Sequence, residues 1–207
     1  MYQIVLASKS PRRIDLLKEI GVDFVTYSPE FEEFTGEEPE FANTSTTATP
    51  IPPEEIALRN SLGKAKEASN HFQNSLVIGV DTIGESHGHI LGKPKDKEDA
   101  ARLLRLLSGT THSVISAITI INTISGKTVS QATKTKVTID KLDEAEIAHY
   151  IASGEGEDKA ASYAIQGLGA LFVSKIEGDY FNVVGLPIYT LKKLLKEFKV
   201  DLTKTAK

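Results

Sequence analysis

The spacing of apolar positions changes several times along this chain, and each change marks an element. An apolar run over 2–6 predicts a first strand. Ser10-Pro11 then supplies an N-cap and a proline at the first helical position, so a helix is expected from there to Gly21. Residues 22–27 predict a second strand, and 56–69 a helix in which Gly63 allows close packing. Val77-Ile78-Gly79-Val80 is a continuous apolar run, expected as a buried strand with Asp81 at its exit. Glu85-Ser86-His87-Gly88-His89 reads as a hairpin turn leading to Leu91-Gly92-Lys93-Pro94. Asp96 and Asp99 open a helix whose Ala100, Leu103, Leu104 and Leu107 share one face, and Gly109 stops it. The run 114–121 is apolar and β-branched while 129–139 alternates, which predicts a hairpin around Ser125-Gly126. Asp143 and Glu146 cap a helix that Gly154 ends. Residues 170–173 predict a strand, and Pro187 opens a helix with Ile188, Leu191, Leu195 and Phe198 on one stripe. This alternation gives an α/β class with α+β character and a substantial antiparallel component, expected as a single domain over 1–207.

Composition narrows the function classes. The chain has 40% hydrophobic and 25% charged residues, ordinary for a globular protein, and a net charge of −4. Such a balance argues against a broad nucleic-acid or anionic-membrane surface, although a local basic pocket fits it. With no cysteine, disulfides, thiolate catalysis and cysteine-based metal sites are excluded. The short apolar stretch before Ser8 falls short of a signal peptide, and no stretch reaches transmembrane length, so a cytoplasmic protein is expected. Residues 43–53 are rich in Thr and Pro without periodicity and read as a loop; Asn43-Thr44-Ser45 inside it matches a sequon by accident.

Candidate chemistry starts at Asp81, because a carboxylate on a buried strand is costly unless partners stabilise it. Ser8-Lys9-Ser10-Pro11-Arg12-Arg13 places hydroxyls and two guanidinium groups at a helix start, where unpaired N–H groups favour anions. The alternative is a solvated helix start whose arginines pair with glutamates. Glu32, Glu33 and Asp81 are candidate carboxylates for a magnesium-type ion, against a solvated acidic loop for the first two. Lys64 could serve a phosphate or lie on an exposed helical face, and Lys93 sits in a rigid Gly-Lys-Pro turn. The block 158–167 mixes small residues with the donor and acceptor groups of Gln166, which suits either a close ligand or a tight crossover. Glu85, His87 and His89 read as a solvated turn, and His112 as the maker of a structural hydrogen bond. No Walker loop or complete dinucleotide fingerprint is present.

These blocks occur in an order that resembles the Maf family of nucleoside triphosphate pyrophosphatases over almost the whole chain. The resemblance rests on Leu6-Ala7-Ser8-Lys9-Ser10-Pro11-Arg12-Arg13, Gly79-Val80-Asp81-Thr82, Leu91-Gly92-Lys93-Pro94 and Ser108-Gly109-Thr110-Thr111-His112, then 158–167 and 178–187. It implies a mixed, curved sheet flanked by helices, with two lobes around a cleft, similar to inosine triphosphate pyrophosphatases. It also implies hydrolysis of a nucleoside triphosphate to monophosphate and pyrophosphate with a divalent cation, Mg2+ or Mn2+. By resemblance Asp81 is the proton acceptor, and Arg12, Thr82 and Gln166 determine specificity. Ser8, Ser10, Arg13, Lys64 and Lys93 are expected to bind phosphate, and Glu33 with Asp81 the metal. Tyr163-Ala164-Ile165-Gln166-Gly167 looks like the branch acting on dTTP and UTP, with 7-methyl-GTP hydrolysis and a non-catalytic, nucleotide-binding regulator of cell division as alternatives. Ala161 and Ala164 stand where the family often has glycine, which narrows the expected pocket. The expected partner is the nucleotide substrate, with neither nucleic acid nor membrane; a homodimer is compatible with these features.

Overall fold

The computed structural model describes residues 2–36, 51–157 and 159–205. The expected loop at 43–50, with its sequon, and Asp158 lie outside the described residues. Among the described residues the elements run β1 (Gln3–Ala7), α1 (Pro11–Glu19), β2 (Val25–Tyr27), α2 (Pro53–Ser69), β3 (Ser75–Ser86), β4 (His89–Leu91), α3 (Lys97–Leu107), β5 (Thr111–Asn122) and β6 (Thr128–Ile139). Then follow α4 (Glu144–Ser153), two 3-10 turns (Ala160–Ser162 and Gly167–Phe172), β7 (Val173–Glu177), α5 (Tyr180–Val184), α6 (Ile188–Lys196) and α7 (Leu202–Thr205). The seven strands form one mixed sheet in the order β2-β1-β3-β5-β6-β7, with β4 pairing β3. β1 runs parallel to β2 and β3, and the remaining pairings are antiparallel. This is the α/β class expected from the alternation of elements.

Local chemistry explains most boundaries. The Asp96 side chain accepts from Asp99 N–H at 2.8 Å, and Asp143 with Glu146 forms a full capping box on α4. Ser10 stands at the N-cap of α1 as expected, but its side chain makes no cap hydrogen bond. α2 starts earlier than the apolar period indicates, because Pro53 at N1 and Glu54 and Glu55 in the first turn suit a helix start. The strand expected at 170–173 is displaced: Ala170 to Phe172 close a 3-10 turn and the pairing begins at Val173. β7 is a sheet edge whose side chains are half-buried or exposed, so hydrophobicity was a poor guide to its position.

Apolar clusters of described residues flank the sheet. On one face Leu6, Ile78, Val80 and Ile120 meet Leu17 of α1 and Leu191 of α6. At the other end Leu103, Leu104 and Leu107 of α3 pack with Val137, Tyr150 and Phe172. Each fully buried leucine or isoleucine contributes roughly 1.5–3 kcal/mol. α2 covers the opposite face of the sheet, where Ala65 and Ala68 meet Val5 and Val77.

Candidate active site

Strand pairing itself opens the site. β1 accompanies β3 only as far as Gly79, and β4 joins the same edge only from Gly84. Residues 80–83 therefore have β5 on one side and no strand on the other. A cavity of about 490 Å³ lies along this gap, a volume usual for small-molecule sites. Asp81 is thus not at the exit of its strand but in the middle. The apolar run that suggested an exit ends one residue past the stretch shared with β1, whereas the strand continues on its antiparallel partners.

Alternation along β3 turns Val77, Gly79 and Asp81 toward α2. A β-carbon at Gly79 would lie 2.1 Å from the Ser61 carbonyl oxygen and 2.7 Å from Ala65 N, so only glycine lets the helix come this close. That approach sets Asn60 and Lys64, one helical turn apart, against Asp81, which is 3% exposed. Lys64 Nζ donates to Asp81 Oδ1 at 2.6 Å, and Asn60 Nδ2 donates to Asp81 Oδ2 at 3.2 Å. Lys64 Nζ also donates to Glu33 Oε1 at 2.6 Å. The loop carrying Glu33 is fixed to the same helix at two places. Phe31 packs where Gly63 has no side chain, and the Asn60 amide pairs with both N–H and C=O of Phe34. Burial alone would push the Glu33 carboxyl up, but Lys64, aided by Lys93 and Arg13, holds it below the ordinary carboxylate value.

The opposite side of the gap belongs to Arg13, in the first turn of α1. Its Nε donates to Gly185 O at 2.8 Å, one terminal nitrogen to Ser8 Oγ at 3.0 Å and Val80 O at 3.2 Å, and the other to Thr82 Oγ1 at 3.0 Å. Arg13 thereby ties β1, β3 and the turn after α5 together, and satisfies a backbone carbonyl that the missing strand leaves open. Burial lowers its pKa, with the Asp81 carboxylate acting in the opposite sense. Ser8 Oγ also accepts from Ser10 N–H at 3.2 Å.

The far wall is built differently. Ala161 and Ser162 have φ of 61° and 60°, two consecutive left-handed residues without glycine. Ala161 N–H donates to Gly92 O at 3.0 Å. Ala161, Tyr163, Ala164 and Ile165 line the cavity here, as do Val114 and Val184. The Tyr163 hydroxyl is 2.8 Å from His112 Nε2, and the rings meet edge to face at 5.4 Å. His112 is 2% exposed and burial drops its pKa to about 4, so it stands neutral. Its Nδ1 has no hydrogen-bond partner among the described residues.

Comparison with known proteins now decides the family. The sequence profile described as "Maf-like protein" matches residues 3–198. The chain belongs to the Maf family. A protein from Methanosarcina barkeri named "dTTP/UTP pyrophosphatase" is 43% identical over 206 residues, covering 98% of this chain and 97% of that protein. Relatives of the same name from Dictyoglomus thermophilum and a Thermoanaerobacter species are 42% and 46% identical, each covering 97% of this chain and at least 98% of their own length.

Of the positions that the Maf resemblance singled out, the structure brings Ser8, Ser10, Arg12, Arg13, Glu33, Lys64, Asp81, Thr82 and Lys93 to one cavity. Gln166 is exposed at the N-cap of the second 3-10 turn, outside the residues lining it, and so is Glu32. The exposed-face alternative for Lys64 falls, since its side chain is only 10% exposed. Sequence reasoning missed Asn60 altogether and named Lys9, Lys159 and Tyr163 only within longer candidate blocks, with no role of their own. Asn60 carried a signal: it is one helical turn before Lys64 on a face otherwise made of Ile56, Ala57, Ser61, Ala65 and Ala68. His112 makes the hydrogen bond expected of it, and the partner is a cavity residue.

Proposed function

We propose that this chain is a nucleoside triphosphate pyrophosphatase that converts dTTP and UTP to monophosphate and pyrophosphate. The observation that carries the reading is a buried carboxylate, Asp81, held by Lys64 and Asn60 on the floor of a cavity that Lys9, Arg12, Arg13, Lys64, Lys93 and Lys159 line. A cluster of cations in a chain of net charge −4 suits a polyanionic ligand. Asp81 orients a water and accepts its proton as the water oxygen bonds to the α-phosphorus. The bond from that phosphorus to the bridging oxygen breaks, and pyrophosphate leaves with the electron pair. Lys93, Arg12 and the N–H groups at the start of α1 stabilise the charge on the departing oxygens. Arg13 contributes chiefly by holding Ser8, Thr82 and Gly185 in place, since four hydrogen bonds already engage it.

A divalent cation fits this donor set. Asp81 and Glu33 are hard oxygen donors facing one ammonium, and magnesium takes one or two carboxylates together with phosphate oxygens and water. Among the described residues no group of three or more His, Asp or Glu side chains could hold a metal alone, so phosphate oxygens would complete the shell. When bound, the ion supplies charge neutralisation at the phosphates. For the base, Val114, Ala161, Tyr163 and Ala164 provide apolar lining, and the relatives' shared name supports a pyrimidine. A cytoplasmic setting belongs to the same proposal; no described helix is long and apolar enough to cross a membrane.

The test is product analysis with dTTP, UTP and 7-methyl-GTP in the presence of Mg2+ or Mn2+. Monophosphate and pyrophosphate in equal amounts, with dTTP and UTP preferred, are expected. Orthophosphate with diphosphate would overturn the reaction class, and a preference for 7-methyl-GTP would overturn the base assignment. Saturable nucleotide binding without turnover would replace the enzyme with a binding regulator.

A further inference from the structure

We infer that Lys64 is the built-in counter-cation of the Asp81–Glu33 pair and that its ammonium competes with a divalent metal for those two carboxylates, so that metal binding is tight only once a nucleotide phosphate can receive the lysine. This inference rests on the pyrophosphatase reading and adds an order of binding to it.

The geometry is specific. One nitrogen, Lys64 Nζ, is 2.6 Å from Asp81 Oδ1 and 2.6 Å from Glu33 Oε1. The two oxygens therefore lie at most twice that distance apart, with the ammonium between them. An ion bridging the same two carboxylates at about 2.0–2.1 Å would need the place that Nζ fills. Nor is Lys64 a side chain that can drift away. It is 10% exposed, it belongs to the turn of α2 pressed onto Gly79, and Asp81 beneath it is buried. Leaving a buried carboxylate unpaired is strongly unfavourable, which keeps Lys64 on Asp81 while nothing replaces it.

Nearby charge disfavours simple addition of a metal. Lys64, Lys93 and Arg13 all act on Glu33, and Arg13 is held close enough to Asp81 to feel its charge. A divalent ion arriving with Lys64 still in place would face three cations for two carboxylates. A phosphate chain in the cavity changes this balance, because it offers the displaced ammonium an anion and offers the metal further oxygens. Two features let the exchange proceed without rebuilding the site. Asn60 holds the second oxygen of Asp81 independently of Lys64, and Glu33 is half exposed, which gives a path from solvent. Coupling of this kind is reciprocal, so nucleotide and metal strengthen each other's binding by one factor.

The experiment measures Mn2+ binding to the nucleotide-free protein by electron paramagnetic resonance of the free ion. Wild type is expected to bind Mn2+ weakly. Lys64→Met should tighten nucleotide-free Mn2+ binding at least tenfold, and adding Asp81→Asn to that variant should abolish the gain, placing the ion on this carboxylate. Unchanged or weaker Mn2+ binding in Lys64→Met overturns the competition, as does wild type that already binds as tightly as the variant. Should circular dichroism show that Lys64→Met does not fold, thermal melts of wild type decide: millimolar Mn2+ alone should leave Tm unmoved, and a clear rise overturns the inference. The same wild-type preparation is assayed for pyrophosphate release from dTTP. Turnover with a failed Mn2+ result removes only the competition, whereas absence of turnover removes the pyrophosphatase reading itself.

Discussion

The floor of the cavity and its far wall achieve order by opposite means. On the floor, hydrogen bonds of 2.6–3.2 Å tie Lys64 and Asn60 of α2 to Asp81, and Arg13 of α1 to Val80 and Thr82 beside it on β3. On the wall, two left-handed residues, a short 3-10 turn and a buried histidine with an unpartnered nitrogen hold Tyr163 and Ala161 in place. A hydrogen-bonded polar network fixes one geometry, as the proposed proton transfer and attack at the α-phosphorus require. A wall with two left-handed residues and a buried unpaired nitrogen carries local strain of the kind that clusters at functional sites. On the proposed function, chemistry falls to the floor and base selection to the wall.

Asp81→Asn should have the largest effect. The amide cannot take up the water's proton, so kcat should fall by roughly 10²–10⁴-fold while the fold persists. Pyrophosphate release at saturating dTTP and a melt of the same sample check both halves. Near-normal turnover would move the chemistry off this residue and dissolve the contrast between floor and wall.

Arg13→Ala should act first on stability. It removes four hydrogen bonds, to Gly185 O, Val80 O, Ser8 Oγ and Thr82 Oγ1, although Ser8 Oγ keeps the Ser10 N–H and Gly185 O keeps the Thr82 hydroxyl. With each such loss worth about 1 kcal/mol, unfolding should become easier by about 3 kcal/mol or more. Chemical denaturation measures this directly. A variant as stable as wild type but slow in turnover would make Arg13 a substrate ligand first and a tie second.

The wall has its own signature in acid. His112 has a folded pKa of about 4 against an ordinary value of 6.5, so between those values the unfolded chain binds a proton that the native state refuses. Stability is therefore unaffected above pH 6.5 and falls as pH drops toward 4, by about 3 kcal/mol in all at 1.36 kcal/mol per unit. Urea melts at pH 7 and 4.5 should show a loss that His112→Asn reduces. An identical loss in the variant would assign the acid sensitivity to carboxylates instead.

Legibility in the sequence followed the same divide. Asp96, Asp143 and Glu146 announced their helices because capping is local chemistry. Asp81 was legible as a site residue because a carboxylate in an apolar run is conspicuous, yet its place within β3 was not, since strand length there depends on β5, far along the chain. Asn60 looked like an ordinary helix position, and Lys64 kept an exposed-face alternative, because only the close approach of α2 at Gly79 sets both against Asp81. The wall was least legible. Nothing local requires alanine and serine to adopt positive φ at 161 and 162, and the 3-10 turn that displaced the expected strand at 170–173 is set by tertiary packing.

The smallest expected effect is on base choice, and it separates two residues that the sequence placed in one block. Ala161 lines the cavity with its β-carbon, 3.3 Å from where a β-carbon on Gly84 would stand, whereas Gln166 is exposed and outside the lining. A pocket distinguishes ligands that differ by one methyl group by only about 1 kcal/mol or somewhat more, and thymine differs from uracil by one methyl. Ala161→Gly removes a methyl from the wall and relieves its left-handed strain, so kcat/KM for dTTP relative to UTP should rise several-fold with little change in stability. Gln166→Ala should move that ratio by less than about threefold, because removing an exposed side chain leaves no buried group unpaired. Competition assays with both nucleotides in one tube resolve changes of this size. If Gln166→Ala shifts the ratio more than Ala161→Gly does, the turn that begins at Gln166 must fold inward over a bound base, and selection would then belong to a moving segment rather than to the fixed wall.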